Sequence, residues 1–258
     1  MITLYDNPFS PFARKVRMAL AHKGLAYASI DALALAERAR LLAVNPRGEV
    51  PVLVDGEVTV VNSADIVAYL DHRYPDPSLL PADPALRVAA RAWERRADGV
   101  LDAIIHDVSL WMWPTHRRGD TPPVGLVEAG RRDVERILAE VEAALDERDF
   151  VCGGLSVADL ALFPHVSALN VLGMAPSPAD RPRLHAWRGR MRALPIVRQD
   201  LEHVKRAAFE KFAQGPSPYE GERVVWRGDR LEWLLGNGFA EWFHGELAAG
   251  RVVVPSAL

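Results

Sequence analysis

The pattern of apolar residues changes near residue 85, and this change limits the fold more than any other feature. Before that point strand-like and helix-like segments alternate, whereas after it almost every apolar repeat has helical spacing. The run MITLYD indicates a buried strand, and residues 11–23 place apolar side chains on one helical face before Gly24 ends the pattern. The sequence therefore predicts a small α/β unit followed by a helical unit.

The remaining segments of the first unit complete the order β-α-β-α-β-β-α. LAYASID indicates a second strand, and residues 34–44 indicate a second helix that Asn45-Pro46 ends. VPVLV and VTVV flank Asp55-Gly56, a strong hairpin signal, and residues 63–73 form a third helix. The proline-rich run YPDPSLLPADP is typical of a linker, so we predict a first domain over residues 1–78.

Five long helical patterns follow and predict an all-helical second domain over residues 86–211. They cover residues 85–113, 123–147, 157–170, 180–192 and 197–211. Residues 212–258 form a C-terminal extension, for which we predict a hairpin turning at Gly228-Asp229 and a short amphipathic helix in NGFAEWFHGELAAG. The extension is rich in aromatic side chains that need burial, so we expect it to pack over the helical domain or a second copy, as a lid. These aromatic residues are Trp226, Trp233, Phe239, Trp242 and Phe243.

Composition excludes several classes of partner. The chain has 258 residues with 31 basic and 34 acidic side chains, so no excess of positive charge attracts nucleic acid or an anionic membrane. The N-terminus lacks the order of a secretion signal and no apolar stretch is long enough to span a bilayer, which predicts a cytoplasmic protein. One cysteine, Cys152, excludes an internal disulfide, and the eight histidines lack metal-ligand spacing, so we expect no metal.

Ser10 lies between two prolines in NPFSPFAR, directly before the first helix. With Pro11 at the first helical position, its hydroxyl is well placed to cap the helix by accepting from a backbone N–H. The same position lies in the positive field of the helix N-terminus, where a hydroxyl stabilises an incoming thiolate. Both roles remain open from the local sequence.

Two further stretches carry a similar ambiguity. In NPRGEVPVLVDG, a cis bond before Pro51 would turn the backbone of Val50 outward, where a peptide ligand can pair with it as an added strand. A trans bond is the commoner alternative. In VVNSADIVAYL, Asn62 and Asp65 match a capping pattern that leaves the amide and hydroxyl of Ser63 at the first helical turn, where carboxylates bind readily. Capping alone also explains these residues.

The three stretches, taken with GGLSVADLALFP in the helical part, resemble the glutathione transferase family over residues 1–211. The motifs that carry the resemblance are SPFARKVR, NPRGEVPVL, NSADIVAYL and GGLSVADLALFP. The resemblance implies an α/β thioredoxin-like N-terminal domain that holds glutathione and an all-α C-terminal domain that supplies the pocket for an electrophile. It also implies a homodimer. In GGLSVADLALFP, Ser156 and Asp159 predict a structural capping box.

The resemblance also implies roles for individual positions. Val50, with a cis Pro51, corresponds to the backbone clamp for the cysteinyl part of glutathione, and Ser63 to the site of the γ-glutamyl carboxylate. Ser10 corresponds to the residue that faces the sulfur, and Tyr5, near the end of the first strand, is the competing hydroxyl donor. A donor at that point lowers the pKa of the thiol and favours the thiolate.

Three positions depart from the common family pattern. Asn62 stands where the family commonly has Glu or Gln, and Glu49 stands where similar sequences often have a basic or amide side chain. A serine at position 10 argues against thiol transfer, which needs a protein thiol to form mixed disulfides. Conjugation is therefore favoured over redox exchange.

The electrophile pocket is expected in the cleft between the domains, beside Phe12 and the end of the first long helix. That helix end, IIHDVSLWMWP, supplies an aromatic and methionine-rich wall suited to a flat apolar substrate. Its candidate residues are His106, Trp111, Met112, Trp113 and His116. The alternative is that they are ordinary core.

The combined prediction is a cytoplasmic, dimeric detoxification transferase that adds the glutathione thiolate to a small hydrophobic electrophile. The alternatives are a non-catalytic member that binds ligands or proteins, and a glutathione-dependent isomerase, lyase or dehalogenase. No nucleic-acid, membrane or metal partner is expected.

Overall fold

The N-terminal part of the computed structural model is a four-stranded sheet in the order β2-β1-β3-β4. The strands are β1 (Ile2–Asp6), β2 (Tyr27–Asp31), β3 (Val52–Asp55) and β4 (Val58–Val61). β1 runs parallel to β2 and antiparallel to β3, and β3 and β4 form the predicted hairpin. The structure describes residues 1–32, 34–113, 118–212, 224–225 and 228–253.

Helices cover both faces of this sheet. α1 (Pro11–His22) and α3 (Ser63–Arg73) share one core with Leu4 and Leu53, while α2 (Arg38–Val44) packs Leu41 against the opposite face. The opposite faces arise because successive side chains of a strand point to alternate sides. The helix predicted over residues 34–44 begins only at Arg38, after a single 3₁₀ turn at Leu35–Glu37.

The second part is built of helices, with isolated β-bridges at Phe150–Gly153 and Cys152–Gly154 among its described residues, so the predicted fold class is confirmed. Its first long helical pattern forms two helices joined by a π-helical turn at Ala97–Leu101, where the sequence predicted a single helix. The helices of this part are α4 (Pro84–Arg96), α5 (Asp102–Met112), α6 (Leu126–Leu145), α7 (Val157–Ala168), α8 (Pro182–Ala193) and α9 (Pro195–Phe212).

The two parts meet along α1, which packs against α7. Lys15 on α1 is fully buried, and its ammonium contacts Glu94 at 3.0 Å and Asp98. One helical turn nearer the start of α1, the ring of Phe12 meets the buried ring of His165 edge to face, with centroids 6.1 Å apart. A continuous core of buried apolar residues therefore joins the sheet to the helices.

The C-terminal extension contains α10 (Gly228–Gly236) and α11 (Ala240–Ala248), and α11 confirms the predicted short helix. The predicted hairpin at Gly228-Asp229 is wrong, because α10 begins at Gly228. β5 (Val224–Val225) instead pairs in parallel with β6 (Val252–Val253). Parallel partners need a connection longer than a tight turn, and the two helices supply it.

The extension packs over the helical domain, as one of the two predicted arrangements requires. The indole N–H of Trp233 donates to Asp133 of α6 at 3.1 Å, and Trp242 meets Trp111 of α5. Trp226 lies outside the described residues. Within the described ranges, no helix is long and apolar enough to cross a membrane.

Candidate functional site

The strand register brings the three predicted motifs to one edge of the sheet. Val52, the first residue of β3, pairs with Tyr5 near the end of β1 and with Val61 at the end of β4. The segment that follows β1, the residues that precede β3 and the residues that follow β4 therefore leave the sheet side by side. These are the segments that contain Ser10, Val50-Pro51 and Asn62-Ser63.

Ser10 caps α1, as one of its two interpretations requires. Its Oγ accepts from the backbone N–H of Ala13 at 3.3 Å, and its own N–H donates to the carbonyl of Asn7 at 3.0 Å. Because the hydroxyl accepts in this cap, its hydrogen stays available, and no described residue accepts it. The capping role and the thiolate-facing role are thus compatible.

The side chain of Tyr5 leaves β1 on the face of the sheet that α2 covers, opposite to α1. Its side chain is 7% exposed and packs with Leu41 of α2 and Val52. Ser10 begins α1, which covers the opposite face. The two candidate hydroxyls, those of Tyr5 and Ser10, therefore originate on opposite sides of the sheet.

The loop before β3 is held by Asn45, which the sequence indicated only as the end of a helix. Asn45 is buried, its Oδ1 accepts from the N–H of Arg47 at 3.2 Å, and its Nδ2 donates to the carbonyl of Glu49 at 2.9 Å. The Val50–Pro51 peptide bond is cis. Among the described residues, the N–H and C=O of Val50 have no hydrogen-bond partner, so both are available to an extended ligand.

Glu49 does not present a bare negative charge. Its two carboxylate oxygens accept from Nε and Nη2 of Arg47, both at 3.0 Å. This hydrogen-bonded pairing raises the pKa of Arg47. The pair is exposed, so its energetic value is small, but Arg47 compensates the negative charge of Glu49.

Asn62 and Ser63 begin α3. Asn62 adopts a positive φ of 72° and its Oδ1 accepts from the N–H of Ala64 at 3.0 Å, so its side chain caps the helix. Ser63 is buried, and neither its hydroxyl nor its backbone N–H has a hydrogen-bond partner within the described part of the chain. The N–H and hydroxyl of Ser63, in the first turn of α3, are therefore donors from which a carboxylate can accept hydrogen bonds.

The predicted pocket residues fall into two groups. Phe12 contacts His165, whose Nε2 lies 3.4 Å from Asp102 at the start of α5, and the half-buried His106 lies one turn further along the same face of α5. Trp113, partly buried, caps the end of α5. Within this group, the Phe12–His165 contact places an aromatic and an imidazole ring at the interface between the two domains.

Trp111 of α5 contacts the C-terminal extension. It is 6% exposed, its indole N–H donates to Asp120 at 2.9 Å, and the guanidinium of Arg118 lies 5.3 Å from its ring centre. Trp242 covers the ring from α11. The partly buried Met112 packs against the core, and His116 lies outside the described residues.

A cavity of about 160 Å³ lies between α9 and the ends of β1 and β2, on the side away from β3 and β4. It borders Pro8 and is lined mainly by charged and polar side chains, which suits an apolar electrophile poorly. The polar lining is formed by Asp6, Ser29, Asp31, His203, Arg206, Glu210 and Lys211. Within the described ranges, no group of three or more His, Cys, Asp or Glu side chains is arranged to hold a metal ion.

The N-terminal part has a four-stranded mixed sheet flanked by helices, with the serine-capped α1 beginning at the shared edge, and a helical domain follows it. This is the arrangement of a glutathione S-transferase. The family model of the glutathione S-transferase N-terminal domain matches residues 4–78, and that of the C-terminal domain matches residues 125–190. The chain belongs to the glutathione S-transferase family.

Individual relatives agree with this placement. A probable glutathione S-transferase, parC, from Nicotiana tabacum is 30% identical over 79% of this chain and 94% of its own length. FtsZ-localized protein A from Caulobacter vibrioides is 27% identical over 77% of this chain and 90% of its own. A glutathione S-transferase from Methylobacterium radiotolerans, solved in complex with glutathione sulfonate, is 29% identical with a TM-score of 0.65, covering 77% of this chain and 93% of that one.

Proposed function

We propose that the protein is a cytoplasmic, homodimeric glutathione transferase that adds the thiolate of glutathione to small hydrophobic electrophiles. The observation that carries the proposal is the common edge at which the Ser10 hydroxyl, the unpaired backbone of Val50 and the unpaired N–H and hydroxyl of Ser63 meet. Each offers the type of group that one part of glutathione needs.

Binding follows from hydrogen-bonding capacity. An extended peptide pairs with the free N–H and C=O of Val50 as an added strand, which holds its cysteinyl residue in register. The γ-glutamyl carboxylate accepts from the N–H and hydroxyl of Ser63, in the positive field of the α3 N-terminus. Pro51 and the Arg47–Glu49 pair shape the loop around the ligand.

Ser10 is the group that we propose acts on the sulfur. The Ser10 hydroxyl donates its free hydrogen to the thiolate, and the N-terminus of α1 adds a partial positive charge, so the pKa of the thiol falls. The thiolate then attacks the electrophilic carbon, a C–S bond forms, and the leaving group departs with its electron pair. Tyr5 is the less favoured donor because its ring is buried beneath α2.

The protein's own cysteine is unsuited to the alternative chemistry of thiol exchange. Cys152 is 2% exposed, and burial raises the pKa of its thiol. Reactive cysteines instead have a lowered pKa and an accessible sulfur. Conjugation is therefore the reaction that the available groups support. In this proposal Phe12, His106 and Trp113 lie beside the electrophile, and Trp111 packs behind these residues.

The test begins with retention of the purified protein on immobilised glutathione, followed by consumption of glutathione with a chlorodinitrobenzene. Ser63→Ala should weaken glutathione binding by about tenfold, the value of one hydrogen bond to a charged group. Ser177→Ala is the control, because Ser177 is an exposed serine between α7 and α8 whose hydroxyl accepts only from the N–H of Ala179 among the described residues. Equal affinity of the two variants would contradict the assigned carboxylate site.

A second candidate is a member of the family that acts through a protein partner. It is favoured by the similarity to FtsZ-localized protein A and by Asn62, whose side-chain oxygen is committed to its helix cap. Absence of both glutathione retention and thiol consumption in the wild-type protein would select this candidate over the transferase.

A further inference from the structure

Arg17 reaches from α1 back to the segment that precedes Ser10. Its Nη1 donates to Asp6 at 2.6 Å and to the carbonyl of Asn7 at 3.5 Å, and its Nη2 donates to the carbonyl of Pro8 at 3.0 Å. Nε and Nη2 also donate to Oδ1 of Asp200, at 3.0 and 2.7 Å. A guanidinium has five N–H donors, and these contacts use all of them.

These contacts fix the backbone from which Ser10 projects. The carbonyl of Asn7 accepts both from Arg17 and from the N–H of Ser10, so one oxygen links the two residues. Asn7 further constrains the turn, because its Oδ1 accepts from the N–H of Phe9 at 2.9 Å. The direction of the Ser10 side chain thus depends on a turn that Arg17 holds.

The helical domain supplies the other end of this arrangement. Asp200 on α9 is 3% exposed and accepts from Arg17 and from Nε of Arg14, the latter at 2.9 Å. Phe212, the last residue of α9, stacks on Phe9 with ring centroids 5.4 Å apart. α9 therefore contacts the turn before Ser10 both through Arg17 and through an aromatic ring.

We propose that Arg17 is a positioning residue that directs the Ser10 hydroxyl at the sulfur of bound glutathione, and that Asp200 anchors it from the helical domain. This proposal rests on the proposed transferase function. Arg17 touches neither the ligand nor the reacting atoms and acts only through the turn of Asn7, Pro8 and Ser10. A catalytic geometry is sensitive to small displacements of this kind.

Lysine cannot replace Arg17 in this role. An ammonium has three donors and no fixed fork, so it cannot hold two carboxylates and two carbonyls in one plane. The charged and titratable groups around Arg17 are Asp6 on β1, Tyr27 on β2, and Arg14 on its own helix, with Asp200 on α9. His203 of α9 lies 3.4 Å from Asp6.

The experiment compares Arg17→Lys with Arg14→Lys in the full chain. Arg14 is a matched control, because its side chain also bonds to Asp200 and to a carbonyl of α7, that of Pro164, but none of its bonds reaches the turn before Ser10. The readouts are the ultraviolet absorbance of the glutathione thiolate in the binary complex as a function of pH, and the pH profile of kcat/KM with a chlorodinitrobenzene.

We expect Arg17→Lys to raise the pKa of bound glutathione by about one unit and to lower kcat/KM at neutral pH by roughly tenfold, with little change in glutathione affinity. Arg14→Lys should leave the thiol pKa unchanged. Unchanged thiol pKa in Arg17→Lys would overturn the proposal. Equal shifts in both variants would also overturn it, because they would reflect a general loosening of the domain interface.

A second variant keeps the proposal testable if Arg17→Lys does not fold. Asp6→Asn keeps the oxygen that accepts from Nη1 but removes its charge, so the thiol pKa should rise in the same direction by a smaller amount. No shift in Asp6→Asn would then count against the proposal. Failure of the proposed function is distinguishable, because in that case the wild-type complex itself shows no thiolate.

Discussion

Trp111 of α5 and Trp242 of α11 meet edge to face, with ring centroids 5.6 Å apart. The contact ties the C-terminal extension to the helix whose first turns line the domain interface. A buried ion pair accompanies it, since Arg118 donates to Glu246 at 3.1 Å. The extension is thus fastened to the helical domain by apolar and charged contacts together.

The docking of the extension should depend on pH through Glu246. Hydrogen bonds from Arg251, with a further contribution from Arg118, lower the pKa of Glu246 in the folded protein. A lowered pKa means that the carboxylate stabilises docking fully above its ordinary value of 4.5 and loses this effect as pH falls through the lowered value. Hydrogen-exchange protection of residues 240–248, measured relative to the intrinsic exchange rate at each pH, should therefore fall in acid before that of β1.

Glu246→Gln provides the control for this prediction. The amide keeps the size of the side chain but cannot ionise, so the exchange protection of α11 should be lower at neutral pH and should lose most of its acid dependence. An acid-induced loss of protection of the same size in the variant would show that another group controls docking.

Ser10→Gly separates the two roles of the Ser10 hydroxyl. Glycine at a helix N-cap costs only a few tenths of a kcal/mol, whereas alanine costs about 1 kcal/mol. If Ser10 faces the sulfur, Ser10→Gly should keep the fold and lower kcat/KM by roughly one to two orders of magnitude. Steady-state kinetics and thermal unfolding measure the two effects.

Two variants control the Ser10 prediction. Asp83→Ala removes the cap of α4, whose Oδ1 accepts from Leu86 N–H at 2.8 Å, and should cost about 1 kcal/mol with unchanged turnover. Tyr5→Phe removes the competing hydroxyl. Full activity in both Ser10→Gly and Ser10→Ala, with a loss in Tyr5→Phe, would show that Tyr5 and not Ser10 donates to the sulfur of glutathione.

Asp159 should matter for folding alone. It forms the predicted capping box with Ser156, and its Oδ1 also accepts from Val151 N–H at 3.1 Å and from the indole of Trp187 at 2.9 Å. Asp159→Ala leaves these buried donors unpaired, so we expect a loss of about 3–5 kcal/mol in the free energy of unfolding. Denaturant titration measures it.

Ligand binding provides the control for Asp159. Glutathione affinity of the folded fraction should be unchanged, because no contact of Asp159 reaches the shared sheet edge. A stable variant with specifically lost glutathione affinity would contradict the structural role.

Gly130 of α6 packs tightly against α5. A Cβ added there would lie 2.5 Å from a methyl carbon of Val108, so Gly130→Ala should destabilise the fold by about 1–3 kcal/mol although alanine favours helices. Gly189 in α8 has open space around it, and Gly189→Ala should instead stabilise by about 0.5–1 kcal/mol. Thermal unfolding of both variants tests the contrast, and equal shifts would exclude tight packing at Gly130.

Local signals predicted much of the fold and the positions of its caps. Ser10, Asn62 and Ser156 were placed at helix starts from the sequence, and all three occupy N-cap positions. These predictions succeed because a cap or a tight turn is decided by residues only a few positions apart. The hairpin at Gly228-Asp229 failed because tertiary packing selected a helix over a local turn signal.

The candidate site could be predicted only in part. Asn45 was interpreted as a helix stop, and its two hydrogen bonds within the loop became visible only with coordinates. Arg17 was assigned no role from the sequence. Its partner Asp200 lies 183 positions away, and no local pattern connects the two.

The sequence by itself determined the alternation of strands and helices, the caps, and the order in which the three candidate site segments follow one another. Tertiary structure alone decided that those segments meet at one sheet edge, that α9 reaches the turn before Ser10, and that the extension covers Trp111. The physical reason is the distance along the chain over which each kind of interaction acts. Backbone capping and side-chain periodicity act between neighbours, whereas buried ion pairs and ring contacts exist only once distant segments exclude water between them.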